Sequence, residues 1–240
     1  MSDTLTTAMI FAAGRGERMR PLTDTRPKPL LEAGGKPLIV WQIEALARAG
    51  VDTIVINHAW LGEQIEAALG DGSRWGVKLR YSAETDALET AGGIAQALPL
   101  LERDGRPIVF VAVSGDVFCA FDYRTLAPRA ARMAALDEPA MHLVMVPNPP
   151  FHPAGDFALD DDGRLSLDGA ARLTFGNIGL YDTRMFHDLA PGTRRALTPY
   201  YRATIEARPR NRRTVTKAYG RTSARRRSSA SSTRDCARSG

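Results

Sequence analysis

Residues 8–31 read AMIFAAGRGERMRPLTDTRPKPLL, and this stretch decides the fold class. It opens as a short apolar run of buried-strand length and then breaks into Ala12-Ala13-Gly14-Arg15-Gly16. Small residues directly after a strand let backbone N–H groups approach an anion without side-chain obstruction. Arg18 and Lys28 add cations to the same loop, and Pro27 and Pro29 restrict the backbone on both sides of Lys28. Oriented amides, a forked guanidinium and a point-charge ammonium are the parts of a phosphate site. The spacing is neither a Walker loop nor the G-x-G-x-x-G fingerprint. Taken singly, the glycines suit a plain turn and Lys28 a solvated loop. Together they favour phosphate.

Outward from that loop, TIVINHA (53–59) and PIVFVAVSGD (107–116) are further strand candidates, and VKLRYS (77–82) alternates. Between them, PLIVWQIEALARAG (37–50), LGEQIEAALGDG (61–72) and TAGGIAQALPLL (90–101) carry helical spacing, the first two stopped by glycine. This alternation predicts right-handed βαβ units and a mostly parallel sheet, an α/β fold. Past residue 140 the texture changes. MHLVMV (141–146), DFALDDDGRLSLDG (156–169) and RLTFGNIGLYD (172–182) read as strands with tight turns, DDDG marking a hairpin, and TRRALTPYYRATIEA (193–207) reads as a final helix.

VSGDVF (113–118) places Asp116 after the longest strand candidate. That is the carboxyl edge of a parallel sheet, where open α/β sheets bind ligands. A carboxylate beside a triphosphate suits Mg²⁺, which takes one or two carboxylates plus phosphate oxygens. A turn or cap aspartate is the plainer alternative. The four histidines, His58, His142, His152 and His187, lack metal-ligand spacing, and His58 reads as packed or hydrogen-bonded. Cys119 and Cys236 form neither a metal knuckle nor a disulfide framework, and Cys119 reads as buried. Trp41, Trp60 and Trp75 read as core or rim packing.

Gly-x-Gly-x-Arg-Met-x-Pro-Leu-Thr (14–23), Pro-Lys-Pro-Leu (27–30) and a strand ending in Gly115-Asp116 resemble the sugar-1-phosphate nucleotidylyltransferases. The resemblance covers residues 8–207. INHAWLGEQIEAALGDGSRWG (56–76), LETAGGI (88–94) and PPFHPAGDF (149–157) are similar to a uridylyl-transferring member that serves bacterial cell-wall recycling. The resemblance implies a Rossmann-like three-layer nucleotidyltransferase fold. It also implies a cytoplasmic enzyme that joins a sugar 1-phosphate to the nucleoside monophosphate of UTP, with Mg²⁺ as cofactor and pyrophosphate released. By that resemblance Ala12, Ala13, Gly14 and Gly16, with Arg18 and Lys28, would handle the triphosphate and the reacting phosphate. Gly92 and Gly93 would shape the nucleoside pocket, and Glu84 would accept the uracil N3–H. Asn57, Asp156, Asn177 and Gly179 would face the sugar, and Asp116 would hold the metal. From the residues alone, Asn57 equally suits a strand cap, Asp156 a hairpin start and 176–179 a bulge. Mannose or glucose 1-phosphate with GTP, UTP or dTTP are alternative substrates, and a non-catalytic nucleotide-sugar binder is the rival of another class.

Charge divides the chain. Residues 208–240 hold 11 Lys or Arg against one acid, a net of +10 in a chain of formal charge +5, which leaves residues 1–207 at −5. The basic balance therefore belongs to the tail, and it lacks the aromatic interleaving of a nucleic-acid binder. No apolar run reaches membrane-spanning length and the first residues lack a signal-peptide pattern, so neither nucleic acid nor membrane is expected as a partner. The expected organisation is a nucleotidyltransferase domain over 1–207 and a basic, low-complexity, disordered tail over 208–240. Members of the family resembled carry Trp-x-(Asp/Asn)-Val-Gly-Thr after the last helix, a motif that completes the metal site and is absent here. With the reading frame moved by two bases, the codons for Tyr219 to Arg225 can encode Trp-Glu-(Asn/Asp)-Val-Gly-Thr, and those for 225–239 an amphipathic helix. The expectation is a frameshift between about Ala207 and Val215, with activity impaired by the lost motif.

Overall fold

The computed structural model describes residues 5–207. The expectations placed on residues 208–240 lie outside the described residues. Strand β1 (Thr7–Phe11) leads through the glycine loop and two single-turn 3-10 segments, Glu17–Met19 and Lys28–Leu30. A small hairpin of β2 (Glu32–Ala33) and β3 (Lys36–Pro37) comes next. Then α1 (Leu38–Arg48), β4 (Thr53–His58), α2 (Gly62–Leu69), β5 (Lys78–Ala83), α3 (Glu89–Leu101) and β6 (Val109–Ser114) alternate as expected. The remainder is α4 (Ala127–Ala134), β7 (Met141–Val146), β8 (Phe157–Leu159), β9 (Leu165–Ser166), β10 (Arg172–Asp182) and α5 (Thr198–Glu206).

The main sheet runs β5-β4-β1-β6-β10, with the first four strands parallel and β10 antiparallel to β6. β7 pairs along the far edge of β10, and the β8–β9 hairpin hangs from its start. The chain thus works outward from β1 to β5, then returns to the other side of β1 for β6. Helices α1 and α2 cover one face before that reversal, and α3 covers the other. The strand alternation explains how one sheet serves two cores. Ala8, Ile10, Ile54, Ile56, Val111 and Val113 face α1, α2 and α4. Met9, Val55, Phe110 and Ala112 face α3 and α5. The reversal between β1 and β6 leaves a crevice beyond their carboxyl ends, the topological switch point at which such sheets bind ligands.

Two local readings differ from the structure. The last helix begins at Thr198, with Pro199 in its first turn, and not at Thr193. Residues 193–195 instead cross the start of α3, where the Arg195 carbonyl accepts from the amides of Ala91 and Gly92 and the Arg195 amide donates to Leu88 O. Those contacts satisfy amides that a helix start leaves unpaired. Helix α4 was not foreseen, because APRAARMA offers only Ala130 and Met133 to the core.

Candidate active site

Strand register sets the candidate residues in one row. Ala83 lies beside His58, Asn57 beside Phe11, Phe11 beside Ser114, and Val113 beside Ile178. Read across the carboxyl edge, Glu84, Asn57, Ala12, Ser114 and Asn177 follow one another. A cleft of about 670 Å³ occupies one end, lined by Glu84, Thr85, Asp86, Leu88, Gln96 and Arg194 among others. A larger cleft of about 910 Å³ occupies the other, bounded by Phe151, His152, Asp156, Asn177, Tyr201 and Arg202 among others.

Between the clefts, the Lys28 ammonium forms an ion pair with Asp116 Oδ2. Ser114 Oγ donates to Asp116 Oδ1 at 2.7 Å and so orients the carboxylate. The glycine loop is fitted closely around Lys28. Gly16 has φ 70°, and a Cβ there would lie 3.0 Å from Thr23 Cγ2 and 3.1 Å from Lys28 Cβ. Both the left-handed backbone and the packing require glycine. Thr23 Oγ1 donates to Gly16 O at 3.0 Å, and the Trp60 indole donates to Thr23 O at 3.3 Å. Gln64 donates to Thr25 O at 3.1 Å, so the loop is pinned to α2. Arg15 lies over the Trp60 ring at 4.4 Å. Arg18 and Gly14 are exposed, and Arg18 makes no hydrogen bond or ion pair among the described residues. Its guanidinium is available to an incoming anion.

Several residues expected at the site are engaged within the protein. Asn57 is turned inward, only 3% exposed, accepting from Ala12 N at 3.1 Å and donating to Glu84 Oε1 at 2.7 Å. It does not face the larger cleft. Glu84 lines the smaller cleft, and its second oxygen accepts from Leu88 N at 2.9 Å, so each oxygen already accepts one bond within the protein. Burial raises its carboxyl above the ordinary value, opposed by the hydrogen bonds from Leu88 and Asn57. Gly93 makes room for that Asn57–Glu84 bond, since a Cβ would stand 2.8 Å from each partner atom. Gly92 admits the crossing segment, where a Cβ would meet Thr193 O at 2.3 Å. Gly179 is buried within the sheet against the Tyr181 ring, whose hydroxyl bonds that of Tyr201 at the wall of the larger cleft.

Asp156 and Asn177 do meet in the larger cleft. Asp156 also closes its own loop, accepting from Phe175 N at 2.7 Å and pairing with His152 at 3.1 Å. Asn177, at φ 58°, sits in the register shift between Phe175 and Gly179, so the bulge and the site coincide. His58 is buried and bonded to Glu66 at 2.7 Å, as expected. Cys119, expected buried, is partly buried against the core, 3.6 Å from the Tyr123 hydroxyl. Ser114, Thr23 and Arg202 were missed. Ser114 had one signal, a hydroxyl closing an apolar strand two residues before Asp116.

Among the described residues no three His, Cys, Asp or Glu side chains converge. One carboxylate held beside a lysine suits an ion that completes its shell with phosphate oxygens and water, as Mg²⁺ does, and does not suit a protein-caged metal. No helix among the described residues is long and apolar enough to cross a membrane.

The nucleotidyl transferase family model matches residues 7–152. The chain is 52% identical over 201 residues to an N-acetylmuramate alpha-1-phosphate uridylyltransferase of Neisseria meningitidis, across 82% of this chain and 84% of that protein. It is 36% identical over 156 residues to a mannose-1-phosphate guanyltransferase of Emericella nidulans, across 61% of this chain but only 42% of that longer protein. Among solved structures, a Bacillus anthracis protein described as a glucose-1-phosphate thymidylyltransferase superposes with a TM-score of 0.74 at 18% identity, covering 90% of this chain and 87% of its own. HddC from Yersinia pseudotuberculosis, complexed with GMP-PN, gives 0.64 at 19% identity, covering 80% and 83%. At such identities these two structures speak for the fold alone.

Proposed function

The chain belongs to the nucleotidyl transferase family, and we propose that it transfers uridylate from UTP to N-acetylmuramate α-1-phosphate. The observation that carries this reading is the meeting of Lys28, Asp116 and Ser114 at the switch point between two clefts. A phosphate oxygen of the sugar 1-phosphate attacks the α-phosphorus, and the bond to pyrophosphate breaks. The nucleophile is already an anion and needs no general base. Catalysis therefore reduces to positioning two polyanions and neutralising their charge. Nucleoside binds in the smaller cleft and sugar in the larger. The glycine-loop amides and Arg18 hold the leaving pyrophosphate, and Lys28 holds the phosphate at the reacting centre. Asp116 would hold Mg²⁺, which supplies Lewis-acid charge neutralisation there.

The test is pyrophosphate release by the protein with Mg²⁺ and each pairing of sugar 1-phosphate and nucleoside triphosphate. Turnover on the muramate pairing alone supports the reading in full. Turnover on mannose or glucose 1-phosphate instead reassigns the sugar. UTP binding without turnover on any pairing would mean a binding module. A muramate also carries a carboxylate, and the exposed Arg202 guanidinium lies at the larger cleft, where it can meet one. Arg202→Ala is expected to raise KM for N-acetylmuramate 1-phosphate about tenfold, the effect of losing a charge-assisted hydrogen bond. KM for a neutral sugar 1-phosphate is expected to stay nearly constant. Equal rises for both sugars would remove Arg202 from carboxylate recognition.

The tail reading remains part of this proposal. Sequencing the nucleotides across codons 205–240 is expected to show Trp-Glu-(Asn/Asp)-Val-Gly-Thr in the shifted frame. Restoring that frame is expected to raise turnover. If no frame encodes the motif, the basic tail calls for a separate explanation.

A further inference from the structure

We infer that Asn57 and Glu84 form a polarity-fixed relay that positions the first amide of the phosphate loop relative to the nucleoside cleft. The inference rests on the nucleotidyl-transfer reading of the site. Four groups lie in series: the Ala12 amide, the Asn57 carboxamide, the Glu84 carboxylate and the Leu88 amide. The ends are backbone N–H groups, which can only donate. Asn57 must therefore present its oxygen to Ala12, leaving its NH₂ to face Glu84. Glu84 then faces donors at both oxygens, and only a carboxylate accepts on both sides. The direction of every bond is dictated by the two amides at its ends.

The position of the relay gives it consequence. Ala12 begins the loop that carries Gly14, Gly16, Arg18 and Lys28, while Leu88 immediately precedes α3 and lines the smaller cleft with Glu84. Asn57 and Glu84 are 3% and 6% exposed. Gly93 brings the α3 backbone against their mutual bond, so no side chain stands between. The Glu84 amide also donates to His58 O at 2.8 Å, which fixes its backbone to the strand bearing Asn57. Hydrogen bonds in such a dry setting gain strength, and a mismatched one is correspondingly damaging. Glu84 and Asn57 are thus positioning residues, acting on the nucleotide through Ala12 and Leu88.

The relay makes a demand that shape alone would not. Glu84→Gln supplies one acceptor and one donor, so its NH₂ must oppose either Leu88 N–H or the Asn57 NH₂. Asn57→Asp sets two buried carboxylates against each other, a pair that can meet only by taking up a shared proton and so fails as the pH rises. Either single variant is expected to lower kcat/KM for UTP by about tenfold or more. Combined, they restore every bond. The new carboxylate at 57 accepts from Ala12 and from the NH₂ at 84, and the carbonyl at 84 accepts from Leu88. The total charge equals that of the parent.

The experiment measures three quantities in the parent, both single variants and the double variant. They are melting temperature, kcat and KM for UTP and other nucleoside triphosphates, and hydrogen exchange at the Ala12 and Leu88 amides. Faster exchange and lower kcat/KM in each single variant, recovered in the double variant with nucleotide preference unchanged, supports the relay. A double variant no better than the worse single overturns it. So does a Glu84→Gln protein with parental exchange and turnover, or one whose preference among nucleotides shifts, which would make Glu84 a direct reader of the base. The exchange readout does not depend on turnover. A parent inactive on every substrate pairing would defeat the functional reading while leaving the hydrogen-bond test intact.

Discussion

Lys28→Ala is expected to lower turnover by about 10²–10³-fold, the usual effect of removing one preorganised donor from a charge-developing centre. The fold is expected to survive. The Lys28 and Asp116 side chains are 26% and 25% exposed, and Asp116 keeps its bond from Ser114. Loss of the pair then costs on the order of 1 kcal/mol. A steady-state pyrophosphate assay beside a melting curve separates the two effects. Near-parental release from a stable Lys28→Ala protein would sink the role given to this lysine. A collapse in melting temperature would instead assign Lys28 a structural part beside Gly16, where its methylenes fill the space a Cβ would need.

Asp116→Asn is expected to act at least as strongly, at about 10³-fold, but with a different signature. The asparagine keeps the volume and can still accept from Ser114, while the charge that would hold Mg²⁺ is gone. Raising the Mg²⁺ concentration is expected to recover little of the loss. An unchanged Mg²⁺ titration curve would mean that the ion is held elsewhere. Asp116→Asn also leaves the Lys28 ammonium without its carboxylate, so the two single variants are not independent. A double variant scarcely worse than either alone is the outcome a shared centre predicts.

The βαβ half of the fold was legible because local signals and tertiary demands coincide there. AMIFAA, TIVINHA and PIVFVAVSGD are continuous apolar runs because both faces of the sheet are covered, and α1 and α2 show the spacing of helices covered on one face. Asp116 was singled out by the strand end before it and Lys28 by its flanking prolines, and the structure brings the two side chains together. What could not be read was contact at long range. Asn57 lies 27 residues from Glu84, and neither residue's spacing discloses that each satisfies the other. Gly92 and Gly93 sit in a helix, where glycine weakens intrinsic propensity. That anomaly does signal close approach, but not by whom. The missed start of α5 has the same origin. TRRAL is acceptable helix sequence, and it is drawn out of helix by amides at the head of α3 that only the folded chain presents.

The ion pair between Lys28 and Asp116 also bears on how the nucleotide arrives. At rest the centre is self-neutralised, and residues 1–207 carry a net −5, so these residues taken together do not attract a triphosphate. Capture at a distance therefore falls to cations without a carboxylate partner at the mouth of the crevice. Arg18 is unpaired among the described residues, and Arg15 is held over Trp60. Their reach is about a Debye length, roughly 10 Å at 0.1 M salt. Encounter and chemistry thus draw on different charges. On the proposed reading, ionic strength would act on the association rate through the rim arginines, while Lys28 would be freed for the phosphate by a cation held at Asp116.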